Sequence, residues 1–472
     1  MIKEFLKPRV SILTLVDPRE EIYETAPKWG FQYDEINRKE HSKLVEKLSA
    51  ELDIVDFEIV NSKEDSIAST KKFISKGAEL LIVFIPGWTY PVFCAVASRT
   101  ALFSSVPTLL VSSFALSGPS AAKGALDEIG AIYEVVYGSL DQEQTINKII
   151  SYAKAASTVT RLRGMTHGLI GGRSMGMFTT IVDPSYWLKA FGIDIEHVDQ
   201  SEILRIGKEI SDKEIDDLYR WLKKNFKKID YDGKMLTPEI LRNQIRGYLA
   251  IRKIVDSNRF DFVGVKCINE LSDYFCSQCL SAGLMNDPYD NNGTKKPIIY
   301  ACECDSNGAL SMEILHLLSG GKPILFMDLI SFNEEEKVIT CMNCGGASTW
   351  YSMRSEKVEE NLNKVEILPH IHGKAGGGCL AYTARSSEVV TLMRLSRVNG
   401  NYKMFVISGK LVENVRRDIN LPWPTANVKV EFNPKTLLEE YDSQHVHIVD
   451  GDLIEECKYV AKIFGMDIKI FK

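Results

Sequence analysis

Residues 297–329 read PIIYACECDSNGALSMEILHLLSGGKPILFMDL. An apolar run ends at Cys302 and a helical stretch follows, with Asp305 or Ser306 able to accept from its first free N–H groups and Gly320-Gly321 able to end it. A second apolar run then reaches Asp328. Strand, helix and strand at this spacing predict a mostly parallel sheet with helices on its faces. Glu303 stands at the carboxyl end of the first strand and Asp328 at that of the second. As parallel neighbours the two strands would lie about 4.8 Å apart. Both carboxylates would then face the crevice where open α/β sheets bind ligands. Adjacent carboxylates repel unless a proton or a cation lies between them. The neutral reading is that both residues cap helices or face water.

The same alternation runs outward in both directions. Within 1–160, residues 9–16, 54–60, 79–85 and 107–112 read as strands, with helical patterns such as 41–52 and 66–76 between them. A second α/β unit, 161–334, opens with a strand at 166–172. It continues through amphipathic helices at 212–226 and 238–256, for which Asp212 and Thr237 suit as N-caps, and strands at 260–265, 297–302 and 323–329. Residues 335–472 change character. The runs 389–398 and 401–408 flank Asn399-Gly400, a two-residue turn signal needing positive φ, and 428–432 and 445–449 alternate with period two. An antiparallel sheet or barrel is expected there, with a final helix at 453–464 packed outside. The predicted fold class is α/β: two doubly wound α/β domains followed by a β-rich, barrel-like C-terminal domain.

Composition narrows the function. Lysine plus arginine number 57 against 63 aspartate plus glutamate, and a net charge of −6 argues against a nucleic-acid binder. The longest apolar runs, such as 80–85, fall far short of the roughly 20 residues that span a bilayer. The opening MIKEFLKPRV has no apolar core for a signal peptide. Ten cysteines without a secretory signal are expected as reduced thiols or metal ligands in the cytoplasm.

A divalent cation held by two carboxylates commonly takes an imidazole as well. His445 and His447 lie two apart in QHVHIVDGD and so share one strand face; His370 and His372 form a similar, lower-ranked pair beside the glycines 376–378. A single histidine is more often a hydrogen-bonded structural residue. The cysteines offer a rival: Cys276/Cys279 and Cys341/Cys344 are two CxxC pairs with the local spacing of tetrathiolate zinc, and Cys302 and Cys304 flank Glu303. Their neutral reading is burial as small apolar side chains. The loop Gly171-Gly172-Arg173-Ser174-Met175-Gly176-Met177 follows a strand and, if it opens a helix, offers N–H groups to an anion, yet it matches neither dinucleotide fingerprint nor P-loop.

Four segments together resemble the L-fucose isomerases and the wider fucose/arabinose isomerase group: 170–176, 301–308 with Glu303, Phe326-Met327-Asp328, and Gln444-His445 before Gly451-Asp452. The fragments 342–345, 376–378 and Trp423-Pro424-Thr425 are similar to family sequence in the same order. The resemblance implies three domains and Mn²⁺, with Mg²⁺ or Co²⁺ as alternatives, held by Glu303, Asp328 and His445. It further implies a small-molecule sugar substrate and a homo-oligomer, trimer or hexamer, whose active site borrows residues from a neighbouring subunit. Trp88 is the candidate for that borrowed wall, Met175 for lining the sugar pocket, and Asn343 stands where some relatives place a histidine. The chain departs from the family in being shorter, in its cysteines, and in Lys266-Cys267, where fucose isomerases carry a glutamine-containing stretch that touches substrate.

The reaction so implied is aldose–ketose isomerisation of a pentose or 6-deoxyhexose through a cis-enediol, with Glu303 and Asp328 as general base and acid in either order. A non-catalytic sugar-binding relative and a zinc-thiolate protein are the alternatives.

Overall fold

Five apolar runs in the first third of the chain make one parallel sheet in the order Asp53–Val60, Arg9–Leu15, Leu80–Phe84, Thr108–Ser112, Tyr133–Tyr137. The three middle strands are almost wholly buried, as strands covered by helices on both faces must be. This is the doubly wound strand order of open α/β folds. The structure is a computed structural model and describes residues 7–30, 32–413 and 421–472. It divides into two units: the first runs to Arg163 and takes in Glu455–Gly465, and the second holds Gly164–Ile454 and Met466–Lys472. The last helix, Ile454–Phe464, therefore groups with the first unit rather than with the β-rich region that precedes it.

The second unit carries two main sheets. One is parallel, in the order Tyr300–Cys302, Phe262–Val265, Thr166–Ile170, Asp194–Val198. The other is a ring. Ser387–Val398 pairs with His445–Asp450, then in turn come Leu325–Asn333, Val338–Met342, Thr425–Lys429 and Asn401–Val412, and the last pairs back onto the first. A seventh strand, Asp467–Phe471, adds in parallel to Asn401–Val412. Closing the ring leaves few free edges, which a sheet of this size needs. The hairpin at Asn399-Gly400 forms as its turn chemistry requires, with φ of +51° and +84° at the two residues.

Several expectations are corrected. The strands either side of the helix Ser306–Leu318 are not parallel neighbours: Tyr300–Cys302 belongs to the parallel sheet, whereas Leu325–Asn333 runs antiparallel to both its neighbours in the ring. A crossover helix fits either destination, and pairing partners are chosen by long-range contacts. Ser211, not Asp212, caps Asp212–Asn225, through a reciprocal box with Glu214. The strand expected at 428–432 lies at Thr425–Lys429. The glycine-rich segment opens no helix; the next one starts at Pro184. Among the described residues no disulfide joins the cysteines. Among the described residues no helix is long and apolar enough to cross a membrane.

Candidate active site

The parallel strand Tyr300–Cys302 ends in a sharp turn into the helix Ser306–Leu318. Glu303 and Cys304 both adopt φ of +57°. Two successive non-glycine residues in the left-handed region cost about 1–2 kcal/mol each, strain that the surrounding structure must impose. The turn holds the Glu303 side chain inward at 4% exposure. There Ser174 Oγ stands 2.5 Å from Oε2 and the Ile268 N–H donates to the same oxygen at 3.3 Å. Ser174 Oγ is also 2.9 Å from the Ile268 carbonyl. An ionised Glu303 accepts from Ser174; a protonated one donates to it, and the hydroxyl turns to Ile268. Burial pushes the Glu303 carboxyl up, against the opposing pull of those donors and of the His445 charge.

Asp305 caps the same helix, accepting from Gly308 N–H at 3.0 Å. It is fully buried and meets two cations: Arg394 across a doubly hydrogen-bonded contact, and His445, whose Nδ1 lies 2.6 Å from Oδ2. Burial alone would raise this carboxyl, but Arg394 and His445 hold it well below the usual carboxylate range. Nδ1–H of His445 therefore donates to Asp305, leaving Nε2 to face Asp328 Oδ1 at 3.3 Å. Burial pulls His445 down, yet the two flanking carboxylates outweigh it and push the imidazole up to about 9. Asp328 is the more open end of this line, with 28% of its side chain exposed.

The other histidines are held elsewhere. His447 shares the face of His445, with Phe326 against both rings, but sits beside Arg394 with its Nε2 3.4 Å from Nη1, and is held far below its ordinary value by burial and by that charge. His370 donates from Nε2 to the Cys344 carbonyl at 2.6 Å and accepts on Nδ1 from His372 N–H at 2.9 Å, a satisfied structural residue. The two CxxC pairs do not assemble as a tetrathiolate. Among the described residues, the one group of three potential ligands with donor atoms within 4.8 Å of one another is Cys302, Glu303 and Cys344.

The remaining expected residues are placed as follows. Met175 has φ of +47° and is 56% exposed in the glycine-rich loop, beside Ser174. Asn343 follows directly on the strand partner of Asp328; its Oδ1 accepts from Gly346 N–H at 2.8 Å and its buried Nδ2 has no partner. Trp88 lies half-buried in the first unit, in the loop after Leu80–Phe84. Lys266 is tied to Glu270 by a 2.6 Å ion pair, and its Cβ lies 2.7 Å from where a Cβ on Gly171 (φ +104°) would be.

Sequence reading overlooked Asp305 except as a cap, and missed Ser174, Arg394 and Gln444. Arg394 carried a signal: a charged residue set between the apolar residues Leu392, Met393 and Leu395 of a strand needs a buried partner. Its Nη2 donates to the Thr179 carbonyl, Thr179 Oγ1 donates to Gln444 Oε1 at 3.0 Å, and Asn307 Nδ2 donates to the carbonyls of Thr179 and Ile181, so the loop is pinned over the helix start.

Two carboxylates and an imidazole are a hard oxygen and nitrogen set that suits Mn²⁺. Asp305 supplies the outer-shell bond that orients the ring with Nε2 toward Asp328, the nitrogen a metal would take once its proton is lost. Glu303, Asp328 and His445 are donor types that a divalent cation takes, and His445 Nε2 faces Asp328, but the three donor atoms do not all fall within 4.8 Å of one another.

Residues 7–164 match the profile of the L-fucose isomerase first N-terminal domain, 166–245 that of its second N-terminal domain, and 341–472 that of its C-terminal domain. A sulfoquinovose isomerase of Alkalicoccus urumqiensis is 22% identical over 370 residues, covering 75% of each chain. One of Clostridium sp. (strain MSTE9) is 23% identical over 367 residues, covering 76% of each. An L-fucose isomerase of Escherichia coli O6:K15:H31 is 24% identical over 377 residues, covering 68% of this chain and 62% of that one.

Proposed function

Because the chain belongs to the L-fucose isomerase family, with all three of its domains matched, we propose that it isomerises an aldose to its ketose with Mn²⁺ held by Glu303, Asp328 and His445. The single observation that carries this reading is the line Asp305–His445–Asp328, buried at its first two members and open at Asp328, beside the strained turn that holds Glu303. Held by these residues, the cation would supply Lewis acidity to the bound sugar.

This chain's own residues do the rest. His445 is fixed in one tautomer by Asp305. Glu303 is buried and desolvated, which suits a base that must take a proton from carbon, and Ser174 offers it a place to hold or release that proton. Asp328, more open, serves as the partner acid on the other side of C1–C2. The substrate is an aldose of the pentose or 6-deoxyhexose class; sulfoquinovose belongs in any panel because two of the relatives are named for it. Asn343, with an unpartnered buried amide, and Met175 are the residues of this unit offered to the sugar. A homo-oligomer, trimer or hexamer, brings Trp88 of a neighbouring subunit to complete the wall.

A coupled assay for ketose formation across an aldose panel with Mn²⁺ tests the activity. Glu303→Gln removes the charge and proton acceptor at constant shape, and turnover is expected to vanish with the fold intact. Near-wild-type turnover in that variant would refute the assignment.

A further inference from the structure

The cysteines beside Glu303 are not used by the isomerase reading, and their arrangement is specific. Cys302 Sγ stands 3.7 Å from Glu303 Oε1, and the Cys344 thiol joins them with all three donor atoms within 4.8 Å. Apolar packing would not gather two thiols on a buried carboxylate. The thiols of Cys267 and Cys279 line the same enclosed space of about 10 Å³, room for roughly one water.

The chain is built to bring Cys344 there. Asn343 Oδ1 accepts from Gly346 N–H and closes the turn, and His370 Nε2–H donates to the Cys344 carbonyl. Gly345 has φ of +139°, and a Cβ on it would lie 2.7 Å from Cys279 Sγ, so only glycine lets the turn settle onto the thiols.

We propose that Cys302, Glu303 and Cys344 form a site for a thiophilic divalent cation such as Zn²⁺. A tetrahedral ion with bonds of roughly 2.3 Å to sulfur and 2.0–2.2 Å to oxygen sets its donors about 3.5–3.8 Å apart. The Cys302–Glu303 spacing is already 3.7 Å, and the two sides that Cys344 makes each need at most about 1 Å of closure from their 4.8 Å limit. Two thiolates and one carboxylate leave a fourth position for water or for a thiol of Cys267 or Cys279. Binding releases the two thiol protons to solvent. Glu303 cannot serve both ions, so Zn²⁺ competes with isomerisation. The site needs the thiols and not Asp328 or His445, and its occupancy can be read without turnover.

The test uses the reduced, chelator-stripped full-length protein titrated anaerobically with Co²⁺ and then Zn²⁺. One equivalent of Co²⁺ is expected to produce the thiolate-to-cobalt charge-transfer band, which Zn²⁺ bleaches. Cys302→Ser and Cys344→Ser are each expected to lose the band and to weaken Zn²⁺ by more than the roughly 10–100-fold that loss of an outer-shell partner costs. Asp328→Asn keeps the band. X-ray absorption of the Zn²⁺-loaded wild type, which requires no variant to fold, should show at least two sulfur neighbours at roughly 2.3 Å. A wild type without the band, a shell of nitrogen and oxygen only, or a band lost in Asp328→Asn but kept in both serine variants would overturn the proposal. An aldose panel without turnover alongside an intact cobalt band would sink the isomerase reading alone.

Discussion

Asp328 lies directly opposite His445 across an antiparallel ladder, with Oδ1 3.3 Å from the imidazole Nε2. Side chains directly opposite on such a ladder start about 4.5–5.5 Å apart at Cβ, so the pairing follows from register alone. Asp305, arriving from a helix cap, then takes the other ring nitrogen at 2.6 Å. A one-residue slip of either strand would turn the imidazole to the opposite face.

That clamp can be tested by its metal affinity. Asp305→Asn keeps the shape but removes the charge that orients His445, and Mn²⁺ affinity by calorimetry is expected to fall by roughly 10–100-fold. The same change strands Arg394, so a loss of stability of about 3–5 kcal/mol should accompany it in urea. His445→Ala should weaken Mn²⁺ further, because it deletes a donor; unchanged affinity would hand the imidazole role to His447 or His370.

Ser174→Ala removes the hydroxyl 2.5 Å from Glu303 Oε2, a contact that favours the ionised carboxylate. The Glu303 carboxyl should rise further, and the acid limb of the kcat/KM profile should move to higher pH. A limb that stays put would mean that another group controls it.

Asp287, which is not among the proposed ligands, provides a stability signature. It is fully buried, accepts from Ser348, Thr349 and the Trp350 N–H, and burial nevertheless pushes it from 3.8 to about 6. Between those values the folded chain holds the extra proton, so this group's contribution is best below pH 4 and declines as pH rises through 6. The change amounts to about 3 kcal/mol. Urea midpoints of wild type and Asp287→Asn should therefore diverge in slope across this window, and parallel curves would contradict the shift.

Trp88→Ala tests the neighbouring-subunit wall. KM for the sugar should rise while light scattering shows the same oligomer. A monomeric wild type that turns over at full rate would exclude the borrowed residue.

Local chemistry was readable from the chain itself. Tyr133–Tyr137 went unread, but the other four of the first sheet's five strands, the Asn399-Gly400 hairpin, the Asp305 cap and the glycines ending its helix all follow from side-chain preferences acting over a few residues. So did the order of the segments that mark the family. What the chain could not disclose was which strands pair. Leu325–Asn333 looked like the partner of Tyr300–Cys302 because a helix separates them, yet its hydrogen bonds go to the ring. Strand pairing is settled by contacts between distant segments, whose energies have no signature in either segment alone. Arg394 against Asp305, Ser174 against Glu303 and Cys344 against Cys302 arise in the same way. Each needs two or three turns of chain brought together from far apart, and only the folded packing determines which polar groups are buried face to face.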